Sequence, residues 1–279
     1  MENPIVRSLI VAGVVAWGAV NTPFALAVPF SYNIGSQTVA GTTNIPSYTD
    51  QGQTYGPFTF NYGYTQTFDG AALARHVELN FTFDANFPAA QQPTFRSTAE
   101  TSIEGIWNNR AAIVDTVTQR SFPLRVDVTT TGPIFNHDIL VKSGPGRSDV
   151  FNWYAGSVTA GVMAHEFGHY LGLYDEYIGG GVDKYPNPTL STALMGTGAL
   201  EKDPQMLPRY YQGYLDFMTG LNPGGRFTLT MAPEPPTVLL LISGMAGILF
   251  FARSRPFLGR HPRLSGRPRP HCSAEQRYC

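Results

Sequence analysis

The alternation of hydrophobic and polar positions along the middle of the chain predicts a succession of strands and helices. Residues 77–83 alternate between apolar and polar side chains, which is typical of a strand with one buried face. Residues 94–113 carry apolar side chains at helical spacing, which predicts a packed helix. Two further strands are predicted at residues 125–130 and 139–142, and a closing helix at residues 208–218. This order indicates a domain that mixes both kinds of element.

A second helix is predicted ahead of the closing one, because residues 158–171 are apolar on most of their circumference. This buried segment carries His165, Glu166 and His169 in the pattern His-Glu-x-x-His. Positions i and i+4 of a helix lie on one face about one turn apart, so the two histidines can bind one metal ion together. Glu166 then projects beside the ion, where a bound water would lie.

Further residues after the helix complete the candidate metal site. Gly172 follows His165 by seven residues, and a glycine there can adopt the left-handed conformation that ends a helix and reverses the chain. The reversal lets Asp175, ten residues after His165, return as a third ligand. Glu176 and His137 remain alternatives for that third place. Without a metal, these polar groups would each need a hydrogen-bonding partner, since unpaired buried polar groups are costly.

The pattern His-Glu-x-x-His-x-x-Gly-x-x-Asp resembles the metzincin zinc peptidases, in the form that has Asp as its third ligand. Met195, twenty residues after Asp175 and followed by Gly196, resembles the tight methionine turn beneath the metal ligands of that family. Several members have a tyrosine two residues after the methionine; Thr197 stands there in this chain, so no tyrosine is carried over. The resemblance implies an α+β, zincin-like fold with a twisted mixed sheet, a long active-site helix and a C-terminal helix after the Met-turn.

The same resemblance implies a zinc endopeptidase. His165, His169 and Asp175 would bind one catalytic Zn²⁺, and Glu166 would act as the general base on a zinc-activated water that attacks a peptide bond of a protein substrate. One alternative is a catalytically inactive surface or matrix protein with this fold, and the intact Glu166 argues against it. Another is a ligand-binding N-terminal part whose metal is structural. A structural zinc has four protein ligands, and the sequence offers no evident fourth ligand nearby.

The two ends of the chain have the composition of targeting signals. Residues 1–27 are predicted to be a secretory signal peptide, with a short apolar run and a small-x-small cleavage site. Residues 233–255 resemble the PEP-CTERM sorting signal of Gram-negative bacteria, with Pro-Glu-Pro, an uncharged membrane segment at 237–252 and then arginines. This resemblance implies processing by an exosortase and an exported protein of the cell envelope or medium, anchored transiently in the membrane. Residues 256–279 form a basic tail predicted to be disordered.

Composition narrows the class of the part between these ends. Residues 28–232 contain no cysteine, and eleven Lys or Arg against seventeen Asp or Glu give them a net charge of minus six. Disulfides are thereby excluded, and the acidic balance argues against nucleic-acid binding. Residues 28–70 are interpreted as a β-rich lead-in or a propeptide, and residues 71–232 as the zinc metallopeptidase domain. The glycine run at 179–181, followed by Asp183, is interpreted as a plain surface loop, with a cleft border or a Ca²⁺ site as alternatives.

Overall fold

Three stretches of the chain are described by the computed structural model, namely residues 31–131, 137–183 and 192–232. The predicted signal peptide, the sorting signal with its membrane segment, and the basic tail lie outside the described residues. Within those three stretches, no helix is both long enough and apolar enough to span a membrane.

The described residues contain ten strands and three α-helices. The strands are β1 (Gly35–Ile45), β2 (Tyr48–Asp50), β3 (Gln53–Tyr55), β4 (Phe58–Phe68), β5 (Leu73–Phe83), β6 (Ala111–Asp115), β7 (Ser121–Thr129), β8 (His137–Lys142), β9 (Asn152–Tyr154) and β10 (Phe227–Met231). The helices are α1 (Gln92–Trp107), α2 (Ala160–Tyr170) and α3 (Gln212–Leu221). Short 3-10 turns add Ala89–Gln91, Thr197–Leu200 and Pro208–Tyr211.

Eight of the strands form one mixed sheet. Six lie in the order β1-β4-β5-β7-β6-β10, with β8 beside β5 and β9 beside β8. β5 is parallel to β7 and β8, and β8 is parallel to β9, whereas the other neighbours are antiparallel. β4 pairs with residues 73–76 of β5, and β8 pairs with residues 79–83. The predicted α+β class with a mixed sheet is therefore confirmed.

The local pattern predicted the strands better than the end of the first helix. The strands predicted at 77–83, 125–130 and 139–142 are confirmed as parts of β5, β7 and β8. The helix predicted over residues 94–113 is wrong at its C-terminal end, because α1 stops at Trp107. Asn109 has a φ of 62°, a left-handed conformation that interrupts a helix, and β6 then begins at Ala111 with alternating burial.

α1, β4 and the 3-10 turn Thr197–Leu200 pack against α2 and hold it in the interior. α1 packs on β7 and against α2, while α2 also packs on β4. The buried Trp107 at the end of α1 donates its indole N–H to the carbonyl oxygen of Ala164, 3.0 Å away in the middle of α2. Every residue of α2 from Met163 to Tyr170 is buried. The helix that carries the candidate ligands is therefore fixed from several sides.

A glycine near the start of α2 provides a test of this packing. A Cβ at Gly161 would collide with the carbonyl oxygen of Ala199, a backbone atom that cannot rotate away. We expect Gly161→Ala to lower the free energy of unfolding by about 1–3 kcal/mol, as overpacking does. Gly105 in α1 is the matched control, because its Cβ would meet open space and Gly105→Ala should stabilise the helix by roughly 0.5–1 kcal/mol. Urea unfolding of both variants measures this, and equal stabilities would contradict it.

Candidate metal centre

Capping at both ends determines the length of α2. At the N-terminus, the Thr159 hydroxyl accepts a hydrogen bond from the amide of Val162 at 3.3 Å. At the C-terminus, Gly172 has a φ of +85°, its amide donates to the His169 carbonyl at 2.9 Å, and the Leu173 amide donates to the Gly168 carbonyl at 3.1 Å. These two bonds form a Schellman motif. The helix therefore has eleven residues and is not the long helix that was expected.

The two histidines of α2 present their Nε2 atoms to a common region. His165 Nδ1 lies 2.8 Å from the carbonyl oxygen of Leu194, and His169 Nδ1 lies 2.8 Å from that of Leu173. A carbonyl oxygen can only accept, so each Nδ1 carries the hydrogen of the bond. In a neutral ring, Nε2 then holds a free electron pair. Backbone carbonyls in this role are typical of histidines that bind metals through the other nitrogen.

Asp175 brings the third candidate ligand to these nitrogens. Its Oδ1 lies 3.0 Å from His165 Nε2 and 3.4 Å from His169 Nε2. This buried oxygen receives no hydrogen bond within the described part of the chain. The other oxygen, Oδ2, accepts a hydrogen bond from the amide of Gly181 at 2.6 Å. If both rings are neutral, three electron-pair donors face one another with no hydrogen between them, so the arrangement is suited to a cation shared by the three atoms.

A proton and a metal ion are the two candidates for that cation. Burial opposes the ionised carboxylate, but the His169 and His165 rings outweigh it and keep the pKa of Asp175 below its ordinary value. Burial also lowers the pKa of His169, whereas Asp175 and Glu166 raise it, with a net result of about 9. A proton on His169 would still leave His165 Nε2 facing the carboxylate oxygen, electron pair to electron pair. A divalent ion accepts electron pairs from all three atoms, and two imidazoles with one carboxylate fit zinc.

Glu166 lies beside the two candidate histidine ligands. Ligating atoms of His165, Glu166 and His169 all lie within 4.8 Å of one another. The side chain is buried, and this burial raises the pKa of the Glu166 carboxyl, although the His165 and His169 rings act in the opposite direction. A carboxylate whose pKa is raised toward the working pH is suited to accept and return a proton.

Met195 lies directly against α2. It sits in a tight turn in which the Gly196 amide donates to the Ala193 carbonyl at 2.9 Å, and its side chain is fully buried. Its sulfur fills the space that a Cβ at Gly168 would need. The carbonyl oxygen of Met195 accepts a hydrogen bond of 2.7 Å from the Glu176 amide. The methionine turn thus packs on the histidine helix and bonds to the segment that carries Asp175.

The two alternative third ligands have other partners. Glu176 accepts hydrogen bonds from Arg209 Nε at 2.7 Å and from the Tyr210 hydroxyl at 3.0 Å. His137 uses its Nε2 in a 3.0 Å bond to the Gly63 carbonyl, and its ring stacks on a tyrosine of α2. Neither side chain is directed to the paired ring nitrogens. His76 is half-exposed on the sheet, 3.2 Å from a carboxylate of Asp127.

The glycine run at 179–181 is not the plain surface loop that was predicted. Gly180 and Gly181 are buried, and a Cβ at Gly180 would collide with the carboxylate of Asp175. The amide of Gly181 is the donor that holds Asp175 Oδ2. Only residues without a side chain allow the backbone to come this close to the carboxylate. The alternation of polar and apolar residues contains no signal for this role.

Two side chains near the metal centre were missed by the sequence analysis. Tyr177 follows Asp175 by two residues, and its ring centroid lies 6.0 Å from that of His165. Its hydroxyl oxygen accepts a hydrogen bond from Arg147 Nη2 at 3.1 Å. Tyr177, and then the negative charges of Asp175 and Glu166, raise the pKa of Arg147, although burial acts in the opposite direction. The two residues are 30 positions apart, so no local spacing could have paired them.

Three comparisons with known proteins found no relative of this chain. The chain matches none of the protein-family models, curated proteins or solved structures with which it was compared. The features that bear on the chemistry of the site are its own: His165 and His169 approach Asp175, and Glu166 lies beside the two histidines.

Proposed function

We propose that the chain is a zinc-dependent endopeptidase of the metzincin type, exported through residues 1–27 and sorted to the cell envelope through residues 233–255. The observation that carries the proposal is the mutual approach of His165 Nε2, His169 Nε2 and Asp175 Oδ1. The mixed sheet, the capped histidine helix, the buried methionine turn and the C-terminal helix α3 support the assignment of a metzincin-like fold.

The chain's own groups prepare the three ligands. The carbonyl oxygens of Leu194 and Leu173 hold the two imidazoles in the tautomer that presents Nε2. The Gly181 amide stabilises Asp175 as a carboxylate, because it donates to Oδ2. Zn²⁺ held by these ligands would supply a Lewis acid that lowers the pKa of water and stabilises negative charge on oxygen.

Glu166 would move the proton of the reaction. It accepts a proton from the attacking water while the new carbon–oxygen bond forms at the peptide carbonyl. It then gives this proton to the amine nitrogen as the carbon–nitrogen bond breaks, which leaves a carboxylic acid and an amine. The Tyr177 hydroxyl accepts its bond from Arg147, so its own hydrogen can be donated to the substrate oxygen as charge develops there.

Substitution of Glu166 tests the proposal. Glu166→Gln should keep one zinc per chain and the wild-type fold, but hydrolysis of unfolded casein should fall by about 10²–10⁴-fold, the usual contribution of a general base. Zinc content is measured by atomic emission and cleavage by peptide mass spectrometry. Chelation should abolish wild-type cleavage and added Zn²⁺ should restore it. Glu78→Gln, a half-buried change on the sheet, is a control that should retain activity.

Each other outcome supports a named alternative. A wild-type protein that holds zinc but cleaves nothing would support the inactive surface protein. Full cleavage by Glu166→Gln would mean that another group takes the proton. Loss of zinc in Glu166→Gln would make Glu166 a fourth ligand and favour a structural metal.

A further inference from the structure

β2 and β3 form a small hairpin that is separate from the main sheet. Its turn residues Gln51 and Gly52 both have positive φ values, 46° and 82°, as a two-residue type I′ turn requires. Tyr48 and Tyr55 pair across the strands with ring centroids 5.4 Å apart. An isolated two-stranded hairpin is at best marginally stable in water. The hairpin therefore depends on what it packs against.

Its packing partner is the loop that holds Asp175. The Tyr48 hydroxyl accepts a hydrogen bond from the Gly179 amide at 2.9 Å and donates one to the Gly180 carbonyl at 3.0 Å. The next amide, that of Gly181, donates to Asp175 Oδ2. The Gly180 carbonyl and the Gly181 amide belong to one peptide group. This peptide therefore links the Tyr48 hydroxyl to the carboxylate of Asp175.

The loop has room beside Tyr48. A cavity of about 530 Å³ lies between the loop and the chain around β1 and β2; Tyr174, Ile178 and Val182 line its loop side, and Tyr48 lines the opposite side. Close packing therefore does not immobilise this face of the loop. Glycines are also the residues with the most conformational freedom to lose. The Tyr48 hydroxyl restrains the peptides on either side of the Gly179–Gly180 pair, through the Gly179 amide and the Gly180 carbonyl. Backbone bonds from the Gly180 amide to the Tyr177 carbonyl at 3.4 Å and from the Val182 amide to the Gly180 carbonyl at 3.0 Å act beside it.

Neighbouring strands support the same site. The Phe60 ring of β4 lies 4.9 Å from the ring of His169, centroid to centroid. Tyr62 packs against Gly172, the residue that ends α2, and Ile45 packs against Gly181. Side chains from β1, β2 and β4 therefore touch a histidine, the helix end and the glycine run.

We propose that Tyr48 is a positioning residue of the metal centre, and that the segment 28–70 stays in the working protein as part of that centre and is not a propeptide to be discarded. By holding the Gly180–Gly181 peptide through the Gly180 carbonyl, Tyr48 keeps the Gly181 amide on Asp175 Oδ2 and so leaves Oδ1 directed to the histidines. This inference rests on the metal centre of the proposed function, but not on hydrolysis.

Tyr48→Phe is the test, since it removes the hydroxyl and keeps the ring. Zinc affinity, measured by competition with a chromogenic chelator, should fall about 10–100-fold, as when other outer-shell partners of zinc ligands are removed. The visible spectrum of the cobalt(II)-substituted protein should change as well, because it reports the ligand geometry. Thr49→Val is the matched control: it removes a hydroxyl whose one hydrogen bond within the described stretches crosses the hairpin to Thr54 at 3.1 Å, and it should leave affinity and spectrum unchanged.

A merely structural tyrosine would give a different result. Tyr48→Phe would then lower the urea midpoint of the metal-free protein but bind zinc like the wild type with an unaltered cobalt spectrum, which overturns the proposal. A stable zinc-loaded protein whose chain starts after residue 70 would also overturn it, whereas mass spectrometry should find Tyr48 in the zinc-loaded form. If wild type binds neither metal, the proposed metal centre fails and this inference with it. If wild type binds zinc but cleaves nothing, only the peptidase proposal fails.

Discussion

Asp175→Asn is expected to lower zinc affinity by more than about 100-fold, beyond the 10–100-fold typical of lost outer-shell partners, because a direct ligand is neutralised. Glu176→Gln should leave the affinity nearly unchanged, because the Glu176 carboxylate is already bound by Arg209 and Tyr210. Each variant replaces one carboxylate oxygen of the wild-type side chain with an amide nitrogen, so the two changes are chemically matched. Chelator competition measures both affinities, and the reverse pattern would move the third ligand to Glu176.

The stability of the metal-free variants shows whether a protonated histidine balances Asp175 when no metal is bound. If protonated histidines balance Asp175, Asp175→Asn should cost about 3–5 kcal/mol, as loss of one partner of a buried pair does. If the rings are neutral, the asparagine oxygen can accept from Gly181 while its amide donates to His165 Nε2, so the metal-free protein should be at least as stable as wild type. Because the pKa of His169 is raised to about 9, its ring is protonated in the metal-free protein at neutral pH, and we expect the first result there. Glu176→Gln should cost about 1–3 kcal/mol, because it weakens a charge-assisted bond to Arg209.

The parts of the site that were predictable from the sequence depend on local geometry. His165 and His169 share a face because four residues are about one turn of any α-helix. Gly172 could be expected to end that helix, because glycine adopts the left-handed conformation at low cost. Strands such as β5 and β7 were predictable because one face is buried and the other is not, which gives an alternation of period two.

The parts that were not predictable depend on residues far apart in sequence. Glu176 is held by Arg209, 33 residues later, and Arg147 meets Tyr177 across 30 residues. The role of the glycine run depends on Asp175 turning back towards it, which no spacing indicates. The end of α1 was misplaced for another reason: Ile113 and Val114 in β6 continue the apolar positions of the helix by coincidence, although the burial of β6 alternates.

His137 gives the second large effect, a loss of stability in mild acid. Its ring stacks on Tyr170 with centroids 4.1 Å apart, and its Nε2 donates to the Gly63 carbonyl where β4 and β8 meet. Burial lowers the pKa of His137 from 6.5 to about 4, although the Gly63 carbonyl and Asp138 act in the opposite direction. Between these two values the folded protein keeps the ring neutral, while the unfolded chain binds a proton.

The unfolded state therefore gains protons first as the pH falls, which favours unfolding. The contribution of His137 to stability should be complete above about pH 6.5 and decrease by about 3 kcal/mol as the pH falls to about 4. His137→Phe should be less stable at neutral pH, since the Gly63 carbonyl loses its donor, but it should lack this part of the acid-dependent loss. Urea unfolding of wild type and His137→Phe at pH values between 7 and 4 measures the difference in their stabilities. The contributions of the carboxylates that both proteins share cancel in this difference. Parallel curves for wild type and His137→Phe would show that His137 is not the group responsible.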